Sequence, residues 1–72
     1  MKIGSRVRLI GIPGKLPESP GLPTKTVFEK CLGHEFEVAG FNNIGMAELN
    51  VESVTGSTGE TIWVENEFLE VV

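Results

Sequence analysis

Cys31 and His34 are the two residues of this 72-residue sequence whose types and spacing come nearest to reactive chemistry. A thiol and an imidazole three positions apart could bind zinc. A structural zinc site, however, needs four such ligands, and a catalytic one needs three ligands plus a water. The sequence holds no second cysteine or histidine, so a single chain could add only glutamates. We therefore predict no metal site at this pair.

The same pair is also a poor combination of nucleophile and base. Apolar residues recur at helical spacing at Val27, Phe28, Cys31 and Leu32. This pattern predicts a helical turn whose apolar side covers an open end of the core. A thiol buried there would be protonated and inert. His34 follows Gly33, which would end the turn, and there it would interact favourably with the negative end of the helix dipole. We assign both residues to structure.

Glutamate is the commonest charged residue, but abundance alone does not make a catalytic pair. Four glutamates fall at outward-facing positions of predicted strands: Glu35, Glu37, Glu48 and Glu52. A paired acid and base would need a cleft that raises the pKa of one of them, and barrels of this size have filled interiors. The GSTGE segment lacks the lysine and the strand-to-helix context of a phosphate-binding loop. We predict no enzymatic activity and no cofactor.

Charge is distributed unevenly along the chain. All six basic residues lie in the first 30 positions: Lys2, Arg6, Arg8, Lys15, Lys25 and Lys30. The other 42 residues carry eight glutamates and no lysine or arginine. One interpretation makes Arg6, Arg8, Lys15 and Lys25 the nucleic-acid footprint of an RNA- or ribosome-associated protein. The other has the two halves pairing in the fold. The pI of 4.8 favours the second, because nucleic-acid binders depend on basic phosphate contacts.

Trp63 is the strongest candidate for a functional residue. In ETIWVE the neighbours Ile62 and Val64 take the inward positions, so a period of two directs the indole outward. It is then either covered by a proline-rich loop or exposed as the anchor of a partner, since tryptophan is enriched among interface hot spots. Phe41, expected outward at the end of its strand, would extend either arrangement. Glu65 belongs to the glutamate-rich frame around this apolar centre.

The remaining pattern predicts an all-β domain with five short strands. They are carried by the segments GSRVRLIGI, EFEVAGF, MAELNVESV, ETIWVE and LEVV. Residues 11–23 hold four prolines and predict a long surface loop. TKTVFEKCLG, capped by Thr24 or Thr26, predicts a short helical segment between the first two strands, and ENEF a single turn before the last strand. Closing so small a sheet into an antiparallel barrel would remove its exposed edges.

The order of these elements resembles an SH3-like barrel. The ending VENEFLEVV resembles the IPSNYVELI-type ending of SH3 domains, with Val64 at the core aliphatic position and Phe68 at the aromatic position. The chain also resembles a group of short, uncharacterised bacterial SH3-like proteins with the pattern "GSRVRL…P…CLG…F.V.G…G.AEL.V…ETIWVE.EFLE". The SH3 resemblance would imply proline-peptide binding. The sequence, however, has no tyrosine, Glu65 replaces the groove proline and Phe68 the groove tyrosine, so we predict no such binding.

Size and composition complete the sequence-based expectation. Seventy-two residues allow one domain, over residues 1–72, and 40% hydrophobic with 22% charged residues is ordinary for a globular protein. A single cysteine suits a reducing compartment, and no apolar stretch has the length of a signal peptide or membrane span. We expect a cytosolic monomer that docks on a larger, unidentified protein through Trp63, as an interaction module or accessory subunit.

Overall fold

The structure, a computed structural model, describes residues 1–14 and 24–72. Five strands are present: β1 (Arg6–Leu9), β2 (Glu35–Phe41), β3 (Ala47–Asn50), β4 (Thr61–Val64) and β5 (Leu69–Val71). Two helices, α1 (Thr24–Cys31) and α2 (Glu52–Thr55), and a 3-10 turn (Asn66–Phe68) join them. The predicted helical segment between the first two strands and the turn before the last strand are both present. Most of the predicted proline-rich loop, with Lys15, lies outside the described residues.

The strands form one antiparallel sheet in the order β4-β3-β2-β1-β5. β1 is an inner strand that pairs with β2 on one side and with β5 on the other. The 3-10 turn carries the chain from β4 to the opposite edge of the sheet, where β5 pairs with β1. Within residues 1–14 and 24–72 the sheet is therefore not closed, and β4 and β5 are its two edges. The predicted closure is wrong for these strands.

The core follows from the period-two alternation that the sequence displays. Inward-facing strand residues are buried at Val7, Leu9, Phe36, Val38, Ala47, Leu49, Ile62, Val64 and Leu69. Phe28 and Cys31 of α1 cover this apolar face, together with Val51. Aliphatic and aromatic side chains of this kind each contribute ~1.5–3 kcal/mol when removed from water. The outer face of the sheet carries charged and polar side chains and Trp63.

Helix α1 ends at Cys31, and Gly33, which the sequence predicts as its stop, follows two positions later. Gly33 has φ +83°, a left-handed conformation that glycine adopts without strain. Its N–H donates to the carbonyl of Leu9 at 2.8 Å, which joins the helix end to β1. Leu32, predicted to share the apolar side of the helix, is 45% exposed, because the core-facing side of so short a helix is already filled by Phe28 and Cys31. Neither helix of the described chain has the length and apolar character to cross a membrane.

Helix α2 replaces the second half of a predicted strand. The alternation in MAELNVESV predicted Glu52 at an outward strand position, but β3 ends at Asn50. The Asn50 side-chain carbonyl accepts a hydrogen bond from the Glu52 N–H at 3.0 Å, a local turn that competes with continued pairing. The helix then ends at Gly56, which has φ +76°. The Glu52 carboxylate accepts a bond from the Gly59 N–H at 2.7 Å and fixes the following turn.

Candidate partner-binding surface

Trp63 lies in β4 with its indole on the outer face of the sheet. Its neighbours Ile62 and Val64 are buried, whereas Trp63 is 41% exposed. The outward orientation predicted from the alternation is therefore confirmed. The alternative in which the proline-rich loop covers this indole concerns residues outside the described ranges. Glu48 of β3 pairs directly with Trp63 and shares the same face.

The hydrogen-bonding pattern between β3 and β4 brings these two side chains close together. The Val51 N–H donates to the Glu60 carbonyl at 2.9 Å, in the same register as the β3–β4 pairs. Hydrogen-bonded pairs alternate along antiparallel strands, so Glu48 and Trp63 form a non-hydrogen-bonded pair, in which opposite side chains lie closest. The same alternation directs the backbone N–H and C=O of Thr61 and Trp63 away from β3, toward the outer edge of the sheet.

A glycine stands on the other side of Glu48. Gly40 of β2 pairs with Glu48, so the outer face at this level runs from Gly40 through Glu48 to Trp63. A Cβ added at Gly40 would lie 3.7 Å from Oε1 of Glu48, an ordinary contact distance. The Glu48 carboxylate therefore lies between a bare backbone on one side and an indole on the other.

Phe41 does not join this row, which corrects its predicted orientation. The pairing between β2 and β3 shifts between Val38 and Gly40, so Ala39 is an extra residue in β2. One extra residue reverses the facing of every residue after it. Phe41 consequently pairs with Ala47, which is fully buried, and stands half-exposed at the margin of the core side. Trp63 and Phe41 lie on opposite faces of the sheet.

Glu65, the third predicted partner-binding residue, borders an open cleft of ≈ 280 Å³ just beyond β4. The cleft lies between the β2–β3 turn and the 3-10 turn and is lined by Ile44, Gly45, Met46, Glu65, Asn66 and Glu67. Ile44 is 75% exposed. The side-chain hydrogen bond with Glu67 raises the pKa of Glu65, and the charge of Glu67 adds to this rise. The end of β4 therefore carries two neighbouring carboxylates.

The predicted nucleic-acid residues Arg6 and Arg8 are engaged in ion pairs. Arg6 Nε lies 2.9 Å from Oε1 of Glu35, and Arg8 Nη2 lies 2.9 Å from Oε2 of the same carboxylate. Arg8 Nη1 also lies 3.3 Å from Glu70. Hydrogen bonds from Arg6 and then Arg8 lower the pKa of Glu35. These pairs join the basic and acidic parts of the sequence. Lys25 is exposed and belongs to α1, whereas the two arginines belong to β1.

Cys31 takes the buried position that the sequence predicts. Cys31 is fully buried, and this burial raises the pKa of its thiol. His34 is exposed, and its backbone N–H donates to the Cys31 carbonyl at 3.0 Å. Among the described residues, no group of three histidine, cysteine, aspartate or glutamate side chains could hold a metal ion.

The chain was compared with known families, proteins and structures, and no match was found. No family model matches the chain. The curated proteins give no match, and neither do the solved structures.

Two features of the surface lie beyond the sequence-based prediction. The first is the Gly40–Glu48–Trp63 row, which depends on the extra residue in β2; an isolated glycine inside a strand pattern is a known signal of such a bulge. The second is the cleft at Ile44 and Glu67. Its two sides come from separate turns, so only the register of the strands brings them together.

Proposed function

We propose that this chain is a cytosolic SH3-like module that docks on a larger protein through Trp63. What supports the fold assignment is the order of elements: a strand, a helical segment, two strands, the short helix α2, a fourth strand, a 3-10 turn and a final strand that pairs with the first. The observation that carries the function is the exposed indole of Trp63 on the outer face, beside the Glu48 carboxylate. A large aromatic side chain that is exposed in the free protein provides apolar area that a partner can bury.

A protein partner fits this surface better than a nucleic acid. Trp63 is paired with Glu48 and followed by Glu65, and these carboxylates would repel phosphates. Arg6 and Arg8 already share the Glu35 carboxylate, which offsets part of the positive charge that they would offer to a phosphate. The binding of nucleic acids falls steeply with salt concentration because counterions are released. Docking through an apolar centre depends on salt much less, and a salt titration distinguishes the two.

Site-specific crosslinking tests the role of Trp63 directly. A photoreactive phenylalanine analogue at position 63 of the full chain should give a discrete crosslinked protein in a cell lysate. The same analogue at Glu29, which is exposed on α1, is the control and should not give this product. With the captured partner purified, Trp63→Ala should weaken binding by roughly 30-fold or more, the effect of a hot-spot residue. Equal crosslinking at both positions, or unchanged affinity of the alanine variant, would refute the proposal.

A further inference from the structure

The outer edge of β4 presents backbone groups that point away from the rest of the sheet. β4 is the terminal strand of the order β4-β3-β2-β1-β5, and no strand in the described part of the chain pairs with its outer side. The alternation set by the Val51–Glu60 bond directs the N–H and C=O of both Thr61 and Trp63 to this side. Donors and acceptors spaced by two residues are a template for an incoming strand.

We infer that a partner's extended segment, carrying lysine or arginine at alternate positions, adds to the outer edge of β4. This inference rests on the docking role of Trp63 and specifies how the partner binds and what chemistry it brings. Backbone hydrogen bonds to Thr61 and Trp63 would hold the segment. Its alternate side chains on the outer face would lie beside the indole, where a cationic side chain gains a favourable interaction with the aromatic ring.

Charge around the edge identifies the chemistry of the segment. Glu48 lies opposite Trp63 on the neighbouring strand, and Glu65, two positions after Trp63, follows β4 directly. No basic residue occurs after Lys30, so β2, β3 and β4 contribute no lysine or arginine to this region. Opposite charges across neighbouring strands are stabilising, whereas like charges are destabilising. A segment with basic residues at alternate positions satisfies this surface.

The same charges argue against a second copy of this chain as the occupant. Two β4 strands paired along their outer edges would join two chains that each carry a net charge of −4, with Glu48 and Glu65 on the outer face of both copies. Charged residues of this kind are a common means by which edge strands avoid pairing with themselves. The edge therefore discriminates between its own sequence and a basic partner strand.

The other edge of the sheet offers less to a partner. The Ile10 N–H donates to the Phe68 carbonyl, and the Val72 N–H donates to the Arg6 carbonyl. Hydrogen-bonded pairs alternate along antiparallel strands, so Arg8 and Glu70, midway between these two pairs, also form a hydrogen-bonded pair. The backbone groups of the intervening residues of β5 consequently face the second edge. That edge carries no aromatic side chain, and its single carboxylate already pairs with Arg8. Binding at β5 is the alternative that the experiment must separate.

The test uses the full chain and a capped peptide, Lys-Val-Lys-Val-Lys-Val, with Glu-Val-Glu-Val-Glu-Val as its control. In nuclear magnetic resonance titrations the lysine peptide should shift the amide signals of Thr61 and Trp63 saturably and slow their hydrogen exchange. The glutamate peptide should do neither. Signals that move instead at β5, or at the cleft around Ile44, would overturn the inference, as would equal binding of both peptides or no binding of either.

A pair of substitutions at Thr61 separates backbone recognition from side-chain recognition. Thr61→Pro removes the outward N–H, and proline is tolerated on an edge strand where that N–H faces away from the sheet. Thr61→Ala removes the same side chain and keeps the N–H. We expect the proline variant to bind the lysine peptide about tenfold more weakly and the alanine variant within about twofold of the original chain. Equal losses in the two variants would overturn strand addition.

Two controls keep the outcome interpretable. If Thr61→Pro lowers the melting temperature sharply, the decision rests on the hydrogen exchange of Thr61 and Trp63 in the unsubstituted chain, where no protection by the peptide refutes strand addition. Sedimentation of the free chain at increasing concentration tests the second-copy alternative, and a dimer formed through β4 would refute the choice of partner. If position 63 crosslinks to a partner but the lysine peptide does not slow hydrogen exchange at Thr61 and Trp63, strand addition is refuted and the docking role of Trp63 stands.

Discussion

Replacing Gly11 by alanine probes the contact between the segment after β1 and the 3-10 turn. A Cβ at Gly11 would lie 2.9 Å from Cδ1 of Phe68 and 3.6 Å from Cε1, so the ring or the backbone must move. The Ile10 N–H, which donates to the Phe68 carbonyl at 2.9 Å, holds the two segments together and limits that movement. Overpacking of this kind costs ~1–3 kcal/mol. The lower conformational entropy of the unfolded alanine chain offsets ~0.4–1 kcal/mol.

The net expectation is a loss of roughly 1–2 kcal/mol of unfolding free energy. For a domain of this length such a loss lowers the melting temperature by roughly 5–15 °C. Gly14→Ala is the matched control, because among residues 1–14 and 24–72 a Cβ at Gly14 meets no atom within 4 Å, and its φ lies outside the left-handed region. Its melting temperature should stay equal or rise slightly. The assay is thermal unfolding of the two variants followed by circular dichroism.

A double-mutant cycle locates the origin of the loss. Phe68→Ala removes all the ring atoms near the added methyl group, so Gly11→Ala should cost less stability in the Phe68→Ala background than in the original chain. Purely additive effects of the two substitutions would contradict the contact. An unchanged melting temperature of Gly11→Ala would refute the close approach itself and with it the described position of the 3-10 turn against β1.

Three further predictions concern the ion pairs, the thiol and the proline-peptide groove. Hydrogen bonds from the arginines lower the pKa of Glu35, so their stabilisation is present above the ordinary glutamate pKa and lost as pH falls through the lowered pKa. The melting-temperature difference between Glu35→Gln and the original chain should be measurable at neutral pH and vanish at strongly acidic pH; Glu37→Gln on the same strand is the matched control. Burial raises the pKa of the Cys31 thiol, so the native chain should react with a thiol reagent much more slowly than the urea-unfolded chain, and equal rates would contradict its burial. A proline-rich P-x-x-P peptide should cause no saturable amide shifts around Phe68 or Glu65. Such shifts would show that the chain binds proline-rich peptides despite these two replacements.

The parts of the fold that follow from local alternation could be predicted from the sequence. Ile62 and Val64 inward with Trp63 outward is confirmed, because β4 has no insertion and one face of it is covered by the core. The stop after α1 at Gly33 was equally predictable, since a left-handed residue at that position favours glycine. In both cases a few consecutive residues determine the outcome.

The parts that depend on pairing could not be predicted in this way. The extra residue Ala39 leaves the period unchanged on either side of it, yet it reverses the facing of Phe41. The side chain of Asn50 ends β3 by a local hydrogen bond, although the apolar alternation continues through Val51. Closure of the sheet depends on which strands β5 pairs with, and in the described residues it pairs with β1 and not with β4.

The pairing of β1 with β5 determines when the fold can be completed. The ion pair between Arg8 and Glu70 joins residues 62 positions apart. All three residues of β5 pair with residues of β1. During synthesis, which proceeds at about 5–20 residues per second, β1 emerges first and has no partner for its β5 side until nearly the whole domain has been made. Val7 and Leu9 of this strand face the core in the native chain. Arg6 and Arg8, which alternate with them, give β1 positive charge while its β5 side is unpaired. Charged side chains on an unpaired strand edge oppose its association with other nascent chains.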